Sequence, residues 1–335
     1  MKKAFLFAVA ALLTATTAHA DTLETVRQRG TLKCSVSLST PGFSSPDSAG
    51  KYQGLDPDMC RAVAAAIFGD PAKAEIVPVA PAARFTALQS GEVDILFNTT
   101  TWTMGREATN KILFVGADYY DGQGLMVRAS EISSASELDN GTVCTNQGST
   151  SELNLVDFFR AANLKNEVVA FASQEEAARA YESGRCDAFS TDKSVLYAFR
   201  TKFADPSAHV VLSETLSKEP LGPSVRQGDD TWFNIVKWSL YATHAAEEAG
   251  LTSTNVDAVM ASTTDPKILR LLGKEGKLGS ALGLPDDWAY RIIKQVGAYN
   301  EIFDRNVGAF SPLRIDRGLN ASWKDGGLHY APPIR

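Results

Sequence analysis

The chain is expected to fold as an α/β protein of two compact units. Segments with strand character alternate with segments of helical period, and the alternation runs through two similar rounds. The length of 335 residues also exceeds what one hydrophobic core ordinarily organises. Strands that alternate with helices favour largely parallel sheets covered on both faces.

The first twenty residues stand apart from this pattern. Lys2 and Lys3 precede the apolar run AFLFAVAALL, which ends in Ala18-His19-Ala20. That is the layout of a secretory signal peptide cleaved between Ala20 and Asp21. The run is too short to cross a bilayer, and no later run reaches the roughly 20 apolar residues a transmembrane helix needs. No cysteine stands at the cleavage position to take a lipid, so the mature chain is expected free in a periplasm.

The first round opens with the β-rich run LKCSVSL, followed by a Gly/Pro/Ser loop and by DPDMCRAVAAAIFG. There Pro57 sits at a helix start and Gly69 at its end, the positions each residue favours. AEIVPV reads as a strand, AARFTALQSG as a helix and VDILF as a buried strand. A second round begins near residue 130: strand GTVCTN, helix STSELNLVDFFRAA, strand EVVAF, helix SQEEAARAYESG, strand CDAFS and helix DKSVLYAFRTKF. ALQSGEVDILFNTTT and AYESGRCDAFSTDKS share one plan, in which a helix ends at Ser-Gly, a short strand follows, and hydroxyl-rich residues come next. From about Gly228 the chain carries the long helical segment TWFNIVKWSLYATHAAEEAG, and it ends in GLNASWKDGGLHYAPPIR, read as an extended tail laid over one unit.

Lys and Arg number 33 against 39 Asp and Glu, a net charge of −6. An acidic excess argues against nucleic acid or an anionic membrane as the main partner. The four cysteines of an exported chain are expected to form two disulfides, with three possible pairings. Cys34 with Cys60 and Cys144 with Cys186 are favoured, because each pair then lies within one unit. Their spacing matches no common zinc pattern, so no structural metal is expected.

The stretch FNTTTWTMGREA, residues 97–108, leaves a buried strand with more polar side chains than a turn requires. Each round delivers such a segment at the carboxyl end of a strand, where open α/β sheets bind ligands. A zwitterion such as a free amino acid needs a fixed cation and a fixed anion. Arg106 offers a planar fork for a carboxylate, with Thr101 as a hydroxyl donor nearby. In the second round Asp192 can accept from an ammonium, and the QGSTSE turn offers amides and the hydroxyls of Ser149 and Thr150. Each residue also has a plainer reading: Arg106 as a solvated surface residue, Asp192 as a helix cap, and Gly-Ser-Thr as a capping sequence. Their matched placement in both rounds favours the joint reading.

Nearly the whole mature chain resembles the periplasmic solute-binding proteins of polar amino-acid ABC importers, and among them the general L-amino-acid-binding proteins. The resemblance is carried by RFTALQSGEVDILFNTTTWT, DYYDGQGLMV, CDAFSTD, KEPLGPSVRQGDD and GGLHYAPPIR. It implies a two-lobed periplasmic-binding-protein fold of type II, the Venus-flytrap arrangement, with two hinge strands mapped to GLMV and PLGPSV. Lobe one would hold residues 21–126 and 224–335, and lobe two residues 127–223. By the same resemblance Arg106 holds an α-carboxylate with Thr101, Ser149 and Thr150, while Asp192 holds the α-ammonium with the carbonyl of Thr99. Arg84, Phe43 and Trp102 are the candidates for a side-chain pocket, with Trp102 equally a residue packed into its lobe. The implied partners are an L-amino acid and inner-membrane permease subunits with their ATPase, for a monomer without cofactor. Met104-Gly105 and Lys193 depart from the usual pattern, and Lys193 could weaken the hold of Asp192 on an ammonium.

Two other functions share the scaffold. A dehydratase-like enzyme would need a poised acid or base, yet none of His19, His209, His244 and His329 falls at the polar strand ends. A sensor that presents its ligand to a receptor would look the same in sequence.

Overall fold

A computed structural model describes residues 21–335. The expected signal peptide, residues 1–20, lies outside the described residues. After helix α1 (Thr22–Arg29), the first strands are β1 (Leu32–Val36), the two-residue hairpin β2 (Ser45–Pro46) and β3 (Tyr52–Gln53), β4 (Ala74–Pro78), β5 (Ile95–Leu96) and β6 (Ile112–Phe114). Between them lie α2 (Leu55–Phe68), α3 (Arg84–Ser90) and α4 (Met104–Asn110). Helix α2 stops at Gly69, whose φ of 71° is the left-handed cap conformation that glycine adopts most readily.

The chain then crosses to a second sheet. Its strands are β7 (Tyr119–Arg128), β8 (Gly141–Asn146), β9 (Asn166–Phe171), β10 (Ala188–Asp192), β11 (His209–Val211) and β12 (Ser217–Leu221), interleaved with α5 (Thr150–Ala161), α6 (Gln174–Glu182) and α7 (Lys193–Arg200). It returns as β13 (Ser224–Arg226), followed by the long α8 (Asp230–Glu248), by α9 (Val256–Ser262), α10 (Pro266–Leu271), α11 (Leu278–Ala281), α12 (Trp288–Gln295) and α13 (Tyr299–Asn306), and by the tail. The first sheet has the order β4-β1-β5-β13-β6; the second runs β11-β7-β10-β8-β9, with β12 paired to β7.

Both sheets are mixed rather than largely parallel. β1 is parallel to β4 and β5, but β13 is antiparallel to β5 and β6. β8 is parallel to β9 and β10, whereas β7 is antiparallel to β10, β11 and β12. The reversed strands, β7 and β13, are those that arrive from the other sheet and so enter from the opposite end.

The crossings correct one expectation. GLMV, expected to join the lobes, is the half of β7 that pairs inside the second sheet, with Leu125 opposite Ser190 and Met126 opposite Phe189. The chain therefore leaves the first sheet after Phe114 and rejoins it at Ser224, and the joining segments are residues 115–118 outward and 222–223 back. PLGPSV does contain the return. The two joining segments touch backbone to backbone: a Cβ on Gly222 would stand 2.1 Å from the Gly116 carbonyl oxygen, so glycine is required there.

Both disulfides form as favoured, Cys34–Cys60 and Cys144–Cys186, and no described cysteine is free. The first ties β1 to α2; the second ties β8 to the segment entering β10. Helices α2, α8, α12 and α13 pack together on the first sheet, and Trp232, Tyr299 and Phe303 are among the largest buried side chains there. The tail lies along α8, with the Ala331 amide donating to Glu248 at 2.9 Å.

Candidate functional site

The polar segments at the strand ends meet in one cleft. On the first lobe β1 leads into Ser37–Thr40 and β5 into Asn98–Thr101. Asn98 (φ 56°) and Thr99 (φ 41°) are both left-handed, a conformation that costs a non-glycine residue about 1 to 2 kcal/mol. Buried bonds hold them in it. Asn98 Nδ2 donates to the Val79 carbonyl at 2.8 Å, and the Thr99 amide donates to Asp56 at 3.2 Å. Burial raises the Asp56 carboxyl to about 7, against the lowering pull of the Thr99 and Asn98 amides. Strain held this firmly at a strand end is characteristic of functional sites.

On the second lobe β8 ends at Asn146, and the turn leads to Ser149, the N-cap of α5. β10 ends at Asp192, at the N-cap position of α7. Its carboxylate makes no capping bond, so the plainer reading of Asp192 as a helix cap does not hold.

The two sides touch directly. Thr101 Oγ1 lies 3.2 Å from Thr150 Oγ1, and Thr40 Oγ1 donates to Gln174 Oε1 at 2.7 Å. Arg84 spans the gap, with Nη1 donating to the Asn98 carbonyl at 3.1 Å and Nη2 to the Gly148 carbonyl at 3.5 Å. The first lobe lines the cleft with Ser37, Thr40, Arg84, Thr99 and Thr101, among others. The second contributes Asn146, Ser149, Thr150, Ser151, Gln174 and Asp192.

Charge is divided across the cleft. Arg84 is 4% exposed; burial and the neighbouring Arg106 press its pKa well down, opposed by Asp192. Arg106 is lowered by burial and supported by Glu219 and Asp192. Its Nη1 donates to the Thr101 carbonyl at 2.7 Å, and its guanidinium lies 5.4 Å from the Phe85 ring centre. Among the described residues neither arginine forms an ion pair. Asp192, 5% exposed, is raised well above the usual carboxylate range by burial and by the charges of Asp121 and Glu219. Asp121 is raised to about 6, by burial first and by Glu219. The last two stand directly opposite each other on β7 and β12. Guanidinium groups on one side and a carboxyl group on the other suit a small zwitterion, whose ammonium would favour the ionised form of Asp192.

Of the residues picked from sequence, Thr99, Thr101, Ser149, Thr150, Asp192 and Arg84 line the cleft, with Arg106 set behind Thr101. Ser149 is largely spent on its cap: it accepts from Glu152 and donates to the Asn146 carbonyl at 2.6 Å. Phe43 and Trp102 do not line the cleft. Phe43 is 1% exposed and packs edge-on to Tyr119 in the first-lobe core; Trp102 stacks on Phe114 with 39% of its surface in solvent. Both are apolar rings that find better burial against other rings than against a polar wall. Lys193 turns away, its ammonium donating to the Ser213 carbonyl and to Thr215.

Sequence reading missed Ser37, Thr40 and Gln174, although Ser-Leu-Ser-Thr directly after the first strand is the same hydroxyl-rich signal found elsewhere. Asp121 and Glu219 had no local signal, because their pairing depends on strand register. No group of described residues is placed to hold a metal ion, and no described helix is long and apolar enough to cross a membrane.

Two α/β lobes, two crossings and a polar cleft between opposed strand ends define a type II periplasmic-binding-protein fold. The chain belongs to the bacterial extracellular solute-binding proteins, family 3, which match residues 32–250. It is 51% identical over 315 residues to the putative amino-acid ABC transporter-binding protein YhdW of Escherichia coli (strain K12), covering 94% of this chain and 92% of that one. It is 49% identical to the general L-amino acid-binding periplasmic protein AapJ of Rhizobium johnstonii, over 96% and 95% of the two chains. Among solved structures, an ABC transporter periplasmic binding protein from Brucella ovis with glutathione bound superposes with a TM-score of 0.92 at 49% identity, covering 95% of this chain and all of that one.

Proposed function

We propose that the protein is the periplasmic solute-binding component of an ABC importer, a monomer that closes around L-amino acids of several side-chain classes and delivers them to membrane permease subunits and their ATPase. One observation carries this reading: Arg84, buried in the cleft wall, and the half-buried Arg106 behind Thr101 form no ion pair among the described residues, while Asp192 is a buried carboxyl at a cap position that caps nothing. Arg106 takes the α-carboxylate with help from Thr101 and Thr150, and Asp192 takes the α-ammonium with the Thr99 carbonyl. Arg84 reads the side chain. Ligand bridging both walls favours the closed form and shifts the lobe equilibrium. Relatives named as binding proteins of transporters support binding rather than catalysis.

A clamp on the ligand backbone reads the α-carbon and leaves the side chain to a looser pocket. L-amino acids of several classes should therefore bind in calorimetry, and D-enantiomers far more weakly. Equal affinity for both hands would rule the clamp out. Glutathione belongs in the same titration, because its γ-glutamyl end carries a free α-amino and α-carboxylate group.

Binding should also release protons. Burial and the charges of Asp121 and Glu219 raise the Asp192 carboxyl above the usual carboxylate range, and burial with Glu219 raises Asp121 to about 6, so near pH 6 the free protein is partly protonated at Asp121, beside Asp192. A ligand ammonium favours the ionised form, so the complex binds fewer protons and affinity rises with pH through this range. Calorimetry at pH 6 in buffers of different ionisation heat should show net release. Heats that do not depend on buffer would remove the ammonium from Asp192.

A further inference from the structure

Residues beyond 250 fall outside the stretch that the family matches, yet three of them grip the end of the outgoing crossing and the start of β7 that follows it. Tyr299 Oη donates to the Asp118 carbonyl at 2.6 Å. Asn320 holds both backbone polar groups of Tyr120: its Oδ1 accepts from the Tyr120 amide at 2.7 Å, and its Nδ2 donates to the Tyr120 carbonyl at 3.0 Å. The His329 ring sits 5.2 Å from the Tyr120 ring. Asn320 is itself fixed. It is 4% exposed, and its carbonyl accepts from Arg317 Nη2 at 2.8 Å; Arg317 in turn pairs with Glu247 of α8 at 2.9 Å. Helix α8 packs on α2 in the first lobe, so the grip on Tyr120 belongs to that lobe.

The next residue is held from the other side. The Asp121 carboxylate accepts from the Ser194 amide at 3.3 Å and from the Ser194 hydroxyl, in the first turn of α7 just after Asp192. Tyr120, which pairs with Pro220 of β12, is thus also bound to the first lobe, while the Asp121 side chain is bound to the second. Close by, Gly116 and Gly222 bring the two joining backbones together with no side chain between them.

We propose that Asn320 is a positioning residue for lobe closure: it ties Tyr120 to the first lobe, so that the outgoing hinge bends at the Tyr120–Asp121 peptide and the rotation reaches Asp192 through Ser194. The inference rests on the reading that the lobes close around an amino acid. Without the grip, bending spreads over residues 115–120 and the closed geometry is less well defined. Because Asn320 is bonded to the hinge and does not line the cleft, the loss is common to every ligand.

The test uses the full mature chain with Asn320→Ala and Asn320→Asp, read by amide hydrogen exchange over residues 115–123 and by calorimetry with L-glutamine and L-leucine. In Asn320→Ala the Tyr120 amide should exchange about tenfold faster or more, and both affinities should fall by one common factor of about ten. Asn320→Asp keeps an acceptor for the Tyr120 amide, so it should retain most of that protection and lose about threefold in affinity. Three results overturn the proposal: unchanged exchange, faster exchange with both affinities within twofold of the parent, or a loss that differs between the ligands. Should Asn320→Ala fail to fold, Asn320→Asp and Tyr299→Phe, which removes only the bond to Asp118, carry the same comparison. A parent protein that binds no amino acid sinks the functional reading instead, while exchange still reports whether Asn320 holds Tyr120.

Discussion

Arg106→Ala is expected to lose two to four decades of affinity for every amino acid the protein binds. The guanidinium is largely buried, and one of its donors is committed to the Thr101 carbonyl. Truncation leaves a ligand carboxylate enclosed without its main partner, and breaking a buried charge pair costs on the order of 3 to 5 kcal/mol. Arg84→Ala should behave differently. Its side chain bonds the carbonyls of Asn98 and Gly148 across the cleft, and in the proposed pocket it faces the ligand side chain. Acidic ligands should suffer most and apolar ones little. Titrating glutamate and leucine into both variants separates the roles; an Arg106→Ala protein that binds both within threefold of the parent refutes the assigned site.

Removing the Cys144–Cys186 bridge, by Cys144→Ala with Cys186→Ala, should cost roughly 2 to 5 kcal/mol of stability, because the open chain regains the freedom of the loop it closed. The bridge spans 42 residues of sequence. Both cysteines are buried, and they join β8 to the segment entering β10, the neighbouring strands that lead to Thr150 and Asp192 in the cleft. Denaturant unfolding should therefore show a lower midpoint for this variant, and ligand should restore part of the loss by binding the folded form. A midpoint equal to the parent's would mean that the bridge constrains nothing the fold does not already fix.

Elements set by local chemistry were legible in the sequence. Period and cap residues give α2 its end at Gly69, α5 its start at Ser149 and α6 its place after Ser173. Polar residues at strand ends gave most of the cleft, since Thr99, Thr101, Thr150 and Asp192 all follow a buried run. What could not be read depends on contacts distant in sequence. The antiparallel β7 and β13 follow from where the chain re-enters a sheet, which no window of residues records. Asp121 and Glu219 face each other only through the β7–β12 register. Phe43 and Trp102 stand beside polar segments in the sequence, but packing against Tyr119 and Phe114 decides where those rings go. The bond between Asn320 and Tyr120 joins residues 200 apart.

The placement of β13 also sets the order in which the molecule can assemble. Every strand of the second sheet comes from one uninterrupted stretch, residues 119–221, so that lobe can complete its hydrogen bonding as soon as its own last strand exists. The first sheet cannot. Its fourth strand in spatial order, β13, is inserted between β5 and β6 but arrives roughly 100 residues after β6, and so long a closure is slow because chain entropy is lost before the contacts repay it. Until then β5 and β6 lie with open edges toward a missing neighbour, a state prone to pairing with other chains. Topology therefore favours the inserted lobe as the earlier folding unit. The sheet of the other lobe is complete only when β13 fills the gap between β5 and β6.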